Sequence, residues 1–145
     1  MFLGKYLRVL DSKSRFIPPD EFKNYLTSEV YITQGFDNNL WILSNSAFQE
    51  IYRKLKHLNI TDPLARLLFR LLLGAATEIG ISEQGYLSIP KNLREYANIG
   101  KEILLIGQGD YFEIWSPESW DIQETELRKT DSNTERFSTF EITTR

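Results

Sequence analysis

A tandem repeat constrains this chain more than any other feature. The stretch from Leu10 to Pro19 returns as Ile81 to Pro90. In both copies an apolar residue leads into a short polar turn, Asp11 to Ser14 in one and Ser82 to Gly85 in the other. A proline then precedes an amphipathic segment, which suits a first helical turn because its N–H groups have no partner. Each copy therefore predicts a strand, a turn, a second strand and a short helix.

The repeat continues into two further predicted strands in each copy. Val30 to Thr33 and Ile103 to Ile106 are apolar runs of strand length, and Leu40 to Leu43 and Glu113 to Trp115 follow after turns. The second copy carries a two-residue insertion relative to the first. A copy of roughly 45 residues is too small to bury a convincing core alone. The two copies must therefore pack on each other.

Two helices are predicted between the copies. Ser46 is a possible N-cap for the first, whose apolar residues recur at three- and four-residue spacing. The second, from Leu64 to about Leu73, is apolar nearly all round, which predicts burial between layers. Arg66 and Arg70 lie four residues apart on that helix and could form an inter-helix or inter-subunit ion pair, or contact DNA.

Composition excludes several classes of site. The 145 residues include no cysteine and one histidine, His57, so a thiolate metal site or a nucleophilic triad has little to be made from. We expect no cofactor. The N-terminus lacks the long apolar core of a signal peptide, and the apolar run from Leu64 to Ala76 is too short to span a bilayer. These features predict a cytoplasmic protein with no membrane partner.

Charge is unevenly distributed along the chain. Residues 1–25 hold five bases and three acids, whereas the residues after Trp115 hold seven acids and four bases. If a polyanion binds, we expect it to meet the first repeat. The acidic end loses apolar periodicity, so a frayed helix from Ile122 to Lys129 followed by disorder is expected.

The first polar turn contains the most informative pair of residues. Asp11 can cap the turn by accepting hydrogen bonds from backbone amides, and that could be its whole role. Arg15 is not required by a turn. It could form an exposed ion pair with Asp11, worth about 0–1 kcal/mol, or it could contact a ligand.

These residues, taken in order, resemble the MraZ family of bacterial transcription regulators. The matching text begins at Met1-Phe2-Leu3-Gly4-Lys5-Tyr6 and ends near Trp120, and it includes the following segments: Leu10-Asp11 through Arg15, Gly35-Phe36-Asp37, Leu40-Trp41, Arg66 to Arg70, Gly74-Ala75-Ala76, Ile89-Pro90, Leu93 to Tyr96, Asp110, and Phe112 to Trp115. No single motif is specific, but their order and spacing together are.

The resemblance implies a fold and a domain organisation. The fold is mainly β with short helices, an α+β class, built from two tandem pseudo-symmetric swapped-hairpin modules of the AbrB and MazE kind, each a small β-barrel, with a helical pair between them. The implied boundaries are 5–47 for the first domain, 48–75 for the helical connection, 76–119 for the second domain and 121–145 for a polar acidic tail that is partly disordered.

The resemblance also implies site residues. The family signature is Asp-x-x-x-Arg in each half, with the arginines implicated in DNA contact. Asp11 and Arg15 match it in the first half, with Ser14 in place of the usual glycine. The second half has Ser82 and Tyr86 at the signature positions. Lys13, Arg8 and Lys5 are expected near Arg15, where they would hold phosphate.

The implied function is sequence-specific binding of double-stranded promoter DNA. A regulator of this family would act on the division and cell-wall gene cluster, binding repeated boxes through the Asp11–Arg15 turns of several subunits. We therefore expect a homo-oligomer, in the form of a ring, associated with the nucleoid, with no small-molecule substrate.

Two other classes of protein compete with this reading. An antitoxin-like module could use the same scaffold to bind protein, with weakened DNA binding, since one signature is lost and the tail is acidic. An enzyme could use Asp37 and Asp110 as paired carboxylates, but both lie in turn contexts next to glycine or asparagine. We therefore expect no enzymatic activity.

Overall fold

A computed structural model describes residues 1–27 and 29–143 of the chain. The strands and helices follow in this order: β1 (Lys5–Val9), β2 (Arg15–Phe16), α1 (Asp20–Lys23), β3 (Val30–Gln34), β4 (Leu40–Ser44), α2 (Asn45–Leu55), α3 (Pro63–Leu72), β5 (Thr77–Glu78), β6 (Leu87–Ser88), α4 (Lys91–Tyr96), β7 (Glu102–Gly107), β8 (Tyr111–Trp115), α5 (Pro117–Leu127) and α6 (Thr130–Phe137). A short 3-10 helix, Ser138–Phe140, follows α6.

The two copies exchange their first strands. Six strands form one sheet in the order β1-β7-β8-β4-β3-β5, and every pairing is antiparallel. Strand β1 of the first copy therefore pairs with β7 of the second, and β5 of the second pairs with β3 of the first. A separate two-stranded ribbon joins β2 to β6. The chain is an α+β protein with swapped hairpins.

The predicted repeat is confirmed element by element. Each copy runs through a strand, a polar turn, a short strand and a short helix before its hairpin. The buried residues Leu26 and Ala97 still align at the offset of the turns, whereas the buried Val30 and Ile103 are two residues further apart, so the insertion lies between α4 and β7. Strand β5 is shorter than its counterpart β1 and ends at Glu78, so Ile81 lies beyond it in the connection to the turn.

One hydrophobic core is shared by the two copies. Its buried residues include Phe2, Phe16 and Phe22 from the first copy and Leu87 and Phe112 from the second. The ring of Phe22 lies 5.0 Å from Phe2 and 4.9 Å from Phe112, measured between centroids. Because each copy supplies only part of this core, neither could exclude water from it alone. The pairing that the repeat predicted is therefore what allows burial.

Helices cover the other side of the central strands. Trp41 and Leu43 pack with Leu55 of α2 and Leu72 of α3. The hydroxyl of Thr33 donates a 2.6 Å hydrogen bond to the carbonyl of Leu72, which fixes the end of α3 against β3. On the second copy, Trp115 and Ile106 pack with Trp120 of α5.

Two expectations about the connecting helices need correction. The N-cap of α2 is Ser44, whose hydroxyl accepts a hydrogen bond from the backbone N–H of Ala47, and not Ser46. Helix α3 is not buried all round, because the side chains of Leu64 and Leu67 are 72% and 59% exposed. The apolar pattern predicts burial between layers, but in the described residues only one side of α3 is covered.

The acidic end of the chain has more structure than its composition suggests. Helix α5 ends at Leu127, and α6 occupies residues expected to be disordered. The side chain of Asn133 donates to the carbonyl of Glu126 at 2.7 Å, which ties α6 to the end of α5.

Within the described residues, neither a closed barrel nor a membrane-spanning helix is found. In residues 1–27 and 29–143 no strand pairing that closes a barrel is found, and the six-stranded sheet contains strands of both copies. In the same ranges, no helix is long and apolar enough to cross a membrane.

Candidate nucleic-acid interface

The first polar turn is organised by the carboxylate of Asp11. Its Oδ1 accepts hydrogen bonds from the backbone N–H groups of Lys13 and Arg15, both at 2.9 Å. Its Oδ2 accepts a 2.8 Å bond from Nε of Arg15. The backbone of Ser14 takes a left-handed conformation, with φ of 59°, which closes the turn. Partial desolvation raises the pKa of Asp11, but the N–H groups and guanidinium of Arg15 and the N–H of Lys13 outweigh it and lower that pKa.

The second turn repeats this backbone arrangement with different side chains. The hydroxyl of Ser82 accepts a 2.9 Å bond from the N–H of Tyr86, as the carboxylate of Asp11 does from Arg15. The backbone N–H of Gly85 donates to the carbonyl of Ser82 at 2.9 Å, and Gly85 has φ of 89°. The turn needs an acceptor at its first position and a left-handed residue at its fourth. Serine and glycine satisfy both, so the turn persists without the ion pair.

The β2–β6 ribbon places the two turns side by side. Arg15 pairs with Ser88 in this ribbon, and the N–H of Ile89 donates to the carbonyl of Ser14 at 3.1 Å. The guanidinium carbon of Arg15 lies 4.5 Å from the centroid of the Tyr86 ring. Residues that the repeat aligned as equivalents are therefore in contact with each other.

The side chain of Arg15 is anchored at one end and open at the other. About one third of it is exposed (34%), and Nε is engaged by Asp11. Within residues 1–27 and 29–143, its two terminal nitrogens donate no hydrogen bond. Arg15 lines an open groove of about 530 Å³ together with Arg8 and Tyr6. A guanidinium fixed in this way presents a planar pair of N–H donors, the geometry that suits bidentate acceptors.

The other predicted basic residues lie in different environments. Lys13 is exposed on the turn itself. Arg8 donates from Nε to the carbonyl of Ile17 at 2.9 Å and from Nη1 to that of Leu7 at 2.9 Å, so it braces the groove wall. Lys5 is not brought to the turn: it begins β1, and its Nζ lies 5.5 Å from the centroid of the Trp120 ring.

Sequence reasoning missed one cation in this region. Nζ of Lys23 lies so close to the second turn that a Cβ added to Gly85 would stand 3.2 Å from it. Lys23 also contacts Asp20 at 3.4 Å, an exposed pair that binds it weakly. Gly85 gave no signal of this neighbour, because its φ of 89° is by itself sufficient reason for a glycine.

A second polar cluster surrounds Glu113 on β8. Its carboxylate accepts from Nδ2 of Asn39 at 2.8 Å and from Nε1 of Trp115 at 3.0 Å. Burial raises the pKa of Glu113, the two hydrogen bonds oppose that rise, and the nearby charge of Asp37 adds to it. This cluster joins the β3–β4 turn to β8, so it belongs to the scaffold.

The acids considered for an enzyme occupy separate turns. Asp37 lies between β3 and β4, and Asp110 lies between β7 and β8; both are exposed. Within residues 1–27 and 29–143, no three His, Cys, Asp or Glu side chains are grouped closely enough to hold a metal ion.

The fold and the paired turns define a class of protein: an internally repeated α+β scaffold whose two interlocked copies present their signature turns together. The sequence profile of one family matches both copies, over residues 1–71 and 72–141; that family is described as "MraZ protein, putative antitoxin-like". The chain belongs to the MraZ family.

Several curated relatives support this assignment over most of the chain. A protein of Clostridium tetani named Transcriptional regulator MraZ is 41% identical over 121 residues, which cover 83% of this chain and 85% of that protein. A protein of the same name from Herpetosiphon aurantiacus is 38% identical over 120 residues, covering 83% and 84%. Another from Roseiflexus castenholzii is 36% identical over 138 residues, covering 95% and 94%.

Proposed function

We propose that this protein is a sequence-specific DNA-binding transcription regulator. Membership of a family whose relatives are named transcriptional regulators supports regulation of transcription by a non-enzymatic protein. The observation that carries the specific proposal is the side chain of Arg15: Asp11 holds its Nε, about one third of it is exposed, and within residues 1–27 and 29–143 its terminal nitrogens donate no hydrogen bond. Such a guanidinium can bond O6 and N7 of a guanine in the major groove, a contact worth about 1–3 kcal/mol of discrimination.

Phosphate contacts would come from the cations around the turn. Lys13 is exposed beside Arg15, and Lys23 lies over the second turn. Two nitrogens of Arg8 donate hydrogen bonds to backbone carbonyls. Arg8 would therefore contribute to DNA binding mainly by stabilising the groove wall and by its charge. Lys5 would contribute only at longer range, since it packs near Trp120. Contacts of this kind supply salt-dependent affinity and fix register without reading sequence.

One turn alone would bind weakly, so we propose that several subunits act together in a closed ring. Exposed apolar side chains of Phe36, Leu58, Leu64 and Leu67 form what we call the α3 face, a groove of about 610 Å³. An exposed apolar surface of this kind marks an interaction site. Residues 45–75 carry five bases and two acids, whereas residues 116–145 carry seven acids and four bases. The acidic end of one subunit therefore complements the basic helical pair that carries the α3 face of the next subunit, a head-to-tail contact that can close a ring.

The proposed targets are repeated boxes in promoter DNA. Several turns on one assembly would engage adjacent boxes with a gain in effective concentration. The division and cell-wall gene cluster, including the promoter of this protein's own gene, is the target that family membership favours. Such a protein would be found with the nucleoid.

A protein-binding, antitoxin-like role is the second candidate. It is favoured by the family description and by exposed apolar residues in the acidic end, with Phe140 68% and Ile142 87% exposed. The two roles differ in their response to salt. Binding through phosphate contacts weakens steeply as salt is added, whereas docking through apolar residues does not.

The test measures binding to a duplex from upstream of the gene by fluorescence anisotropy at several salt concentrations. Arg15→Ala should weaken binding to this duplex at least tenfold, because one bidentate contact is worth about 1–3 kcal/mol and several subunits contribute. Arg53→Ala is the matched control, since Arg53 is an exposed arginine paired with Glu50 on α2. Unchanged affinity in Arg15→Ala, or binding that is insensitive to salt, would contradict the proposal.

A further inference from the structure

We propose that Tyr86 has exchanged the role of a DNA-contacting residue for that of a positioning residue that holds Arg15 of the other copy. This inference rests on the proposed function, because it assigns a task to Arg15 at DNA. It goes beyond that proposal by explaining what the second turn does when its signature arginine and aspartate are both absent.

The first step is that the second turn has kept its shape. The hydrogen bonds from Ser82 N–H to the Tyr86 carbonyl, at 3.0 Å, and from Asp11 N–H to the Arg15 carbonyl, at 2.9 Å, are equivalent. The hydroxyl of Ser82 and the left-handed backbone of Gly85 fix the same turn shape as Asp11 and Ser14 do in the first copy. The position of Tyr86 is therefore as defined as that of Arg15.

The second step is the contact itself. The guanidinium carbon of Arg15 is 4.5 Å from the centroid of the Tyr86 ring, inside the range of about 6 Å in which a cation is attracted to an aromatic face. Asp11 binds the same guanidinium at Nε, at 2.8 Å. Arg15 is therefore restrained from two sides, by a carboxylate of its own turn and by a ring of the other turn.

The third step is that this restraint leaves the donors needed for DNA unused. A long side chain loses rotamer freedom when it binds, and prior restraint removes part of that cost. A second arginine at position 86 would place two positive charges side by side, whereas a ring attracts the one that is present. The chain thus has one arginine at this site, restrained by Asp11 and by Tyr86.

A double-mutant cycle on the full chain tests this role, with the upstream duplex as the probe. Tyr86→Leu should weaken binding roughly two- to five-fold for each contacting subunit, the change that an exposed cation–π contact produces. Tyr86→Phe keeps the ring and should bind like the parent. In an Arg15→Ala background, Tyr86→Leu should have no further effect, because Tyr86 acts through Arg15.

A measurement without DNA separates failure of this inference from failure of the proposed function. The NMR signal of the Arg15 Nε–H should shift in Tyr86→Leu, because this variant removes the aromatic ring next to the guanidinium. It should stay in place in Tyr86→Phe, because this variant keeps the ring. An unchanged signal in Tyr86→Leu would overturn the positioning role, and so would an equal loss of affinity with and without Arg15. If Arg15→Ala binds DNA normally, the proposed function fails, and the NMR signal still decides whether Tyr86 holds Arg15.

Discussion

The two signature turns differ at the scale of single residues by what their first side chain can do. A serine hydroxyl and an aspartate carboxylate both accept from the backbone N–H four residues later, at 2.9 Å in each turn. Only the carboxylate has a second oxygen for the guanidinium of Arg15. Replacing Asp by Ser therefore preserves the turn and removes the ion pair, so the two copies share a shape without sharing a chemistry.

Glu113 gives the clearest pH-dependent prediction at this scale. Burial raises its pKa in the folded state above the ordinary value of about 4.3, so the folded chain binds its proton more tightly than the unfolded chain. The free energy of unfolding should therefore fall as pH rises from about 4 through the raised pKa. In Glu113→Gln this fall should be smaller, as measured by urea unfolding at a series of pH values.

The control for this experiment is Glu102→Gln, since Glu102 is an exposed glutamate on β7. Its pH dependence of unfolding should match that of the parent chain. If the free energy of unfolding changed equally with pH in Glu113→Gln and in the parent, this would contradict the raised pKa of Glu113 in the folded chain.

Single residues also mark the limits of sequence reasoning. Asp11 and Arg15 could be predicted as partners because their contact is local, within one turn. The contact between Arg15 and Tyr86 could not, because a repeat identifies equivalent positions and not neighbouring ones. Proximity along the chain predicts Lys5 near Arg15. A strand extends by about 3.3 Å per residue, however, and Lys5 begins the strand that leads to the turn, so it lies away from Arg15.

At the scale of elements, the helices that follow each hairpin start in the same way. Ser44 caps α2 by accepting from Ala47 N–H at 3.3 Å, and Ser116 caps α5 by accepting from Ser119 N–H at 3.2 Å. A capping serine directly before the helix is thus part of the repeat. The sequence offered two serines near the start of α2, and only the backbone conformation distinguishes the cap from its neighbour Ser46.

Ser44→Ala should lower the free energy of unfolding by about 1 kcal/mol, the usual cost of losing an N-cap acceptor. Ser46→Ala is the matched control and should change it much less, because the Ser46 hydroxyl accepts no hydrogen bond from a helix N–H group within residues 1–27 and 29–143 and contacts the hydroxyl of Ser44. Both are measured by urea unfolding at one protein concentration, since association would otherwise alter the apparent stability. A larger loss in Ser46→Ala than in Ser44→Ala would reject the assignment.

At the scale of the whole molecule, the swapped hairpins make the two copies one folding unit. The repeat predicted this, because neither copy has enough apolar residues for its own core. The burial of α3 was wrong for a related reason: periodicity reports which residues are apolar, and not whether another part of the same chain covers them. A second subunit could cover the exposed leucines of α3.

Leu67→Glu should reduce the mass of the assembly, because it places a charge in the middle of the α3 face. Leu7→Glu is the control: the side chain of Leu7 is 55% exposed on β1, close to the 59% of Leu67. The intact masses are measured by native mass spectrometry at one protein concentration. An assembly of unchanged mass in Leu67→Glu would place the subunit contact elsewhere.

Methylation interference on the upstream duplex tests the central claim most directly, because it asks whether Arg15 reads a guanine. Methyl groups on guanine N7 block a bidentate arginine in the major groove. We predict that guanines in the bound boxes interfere with binding of the parent chain, and that this interference disappears in Arg15→Ala at protein concentrations high enough to restore binding. Interference that is absent in the parent, or identical in both proteins, would contradict the account.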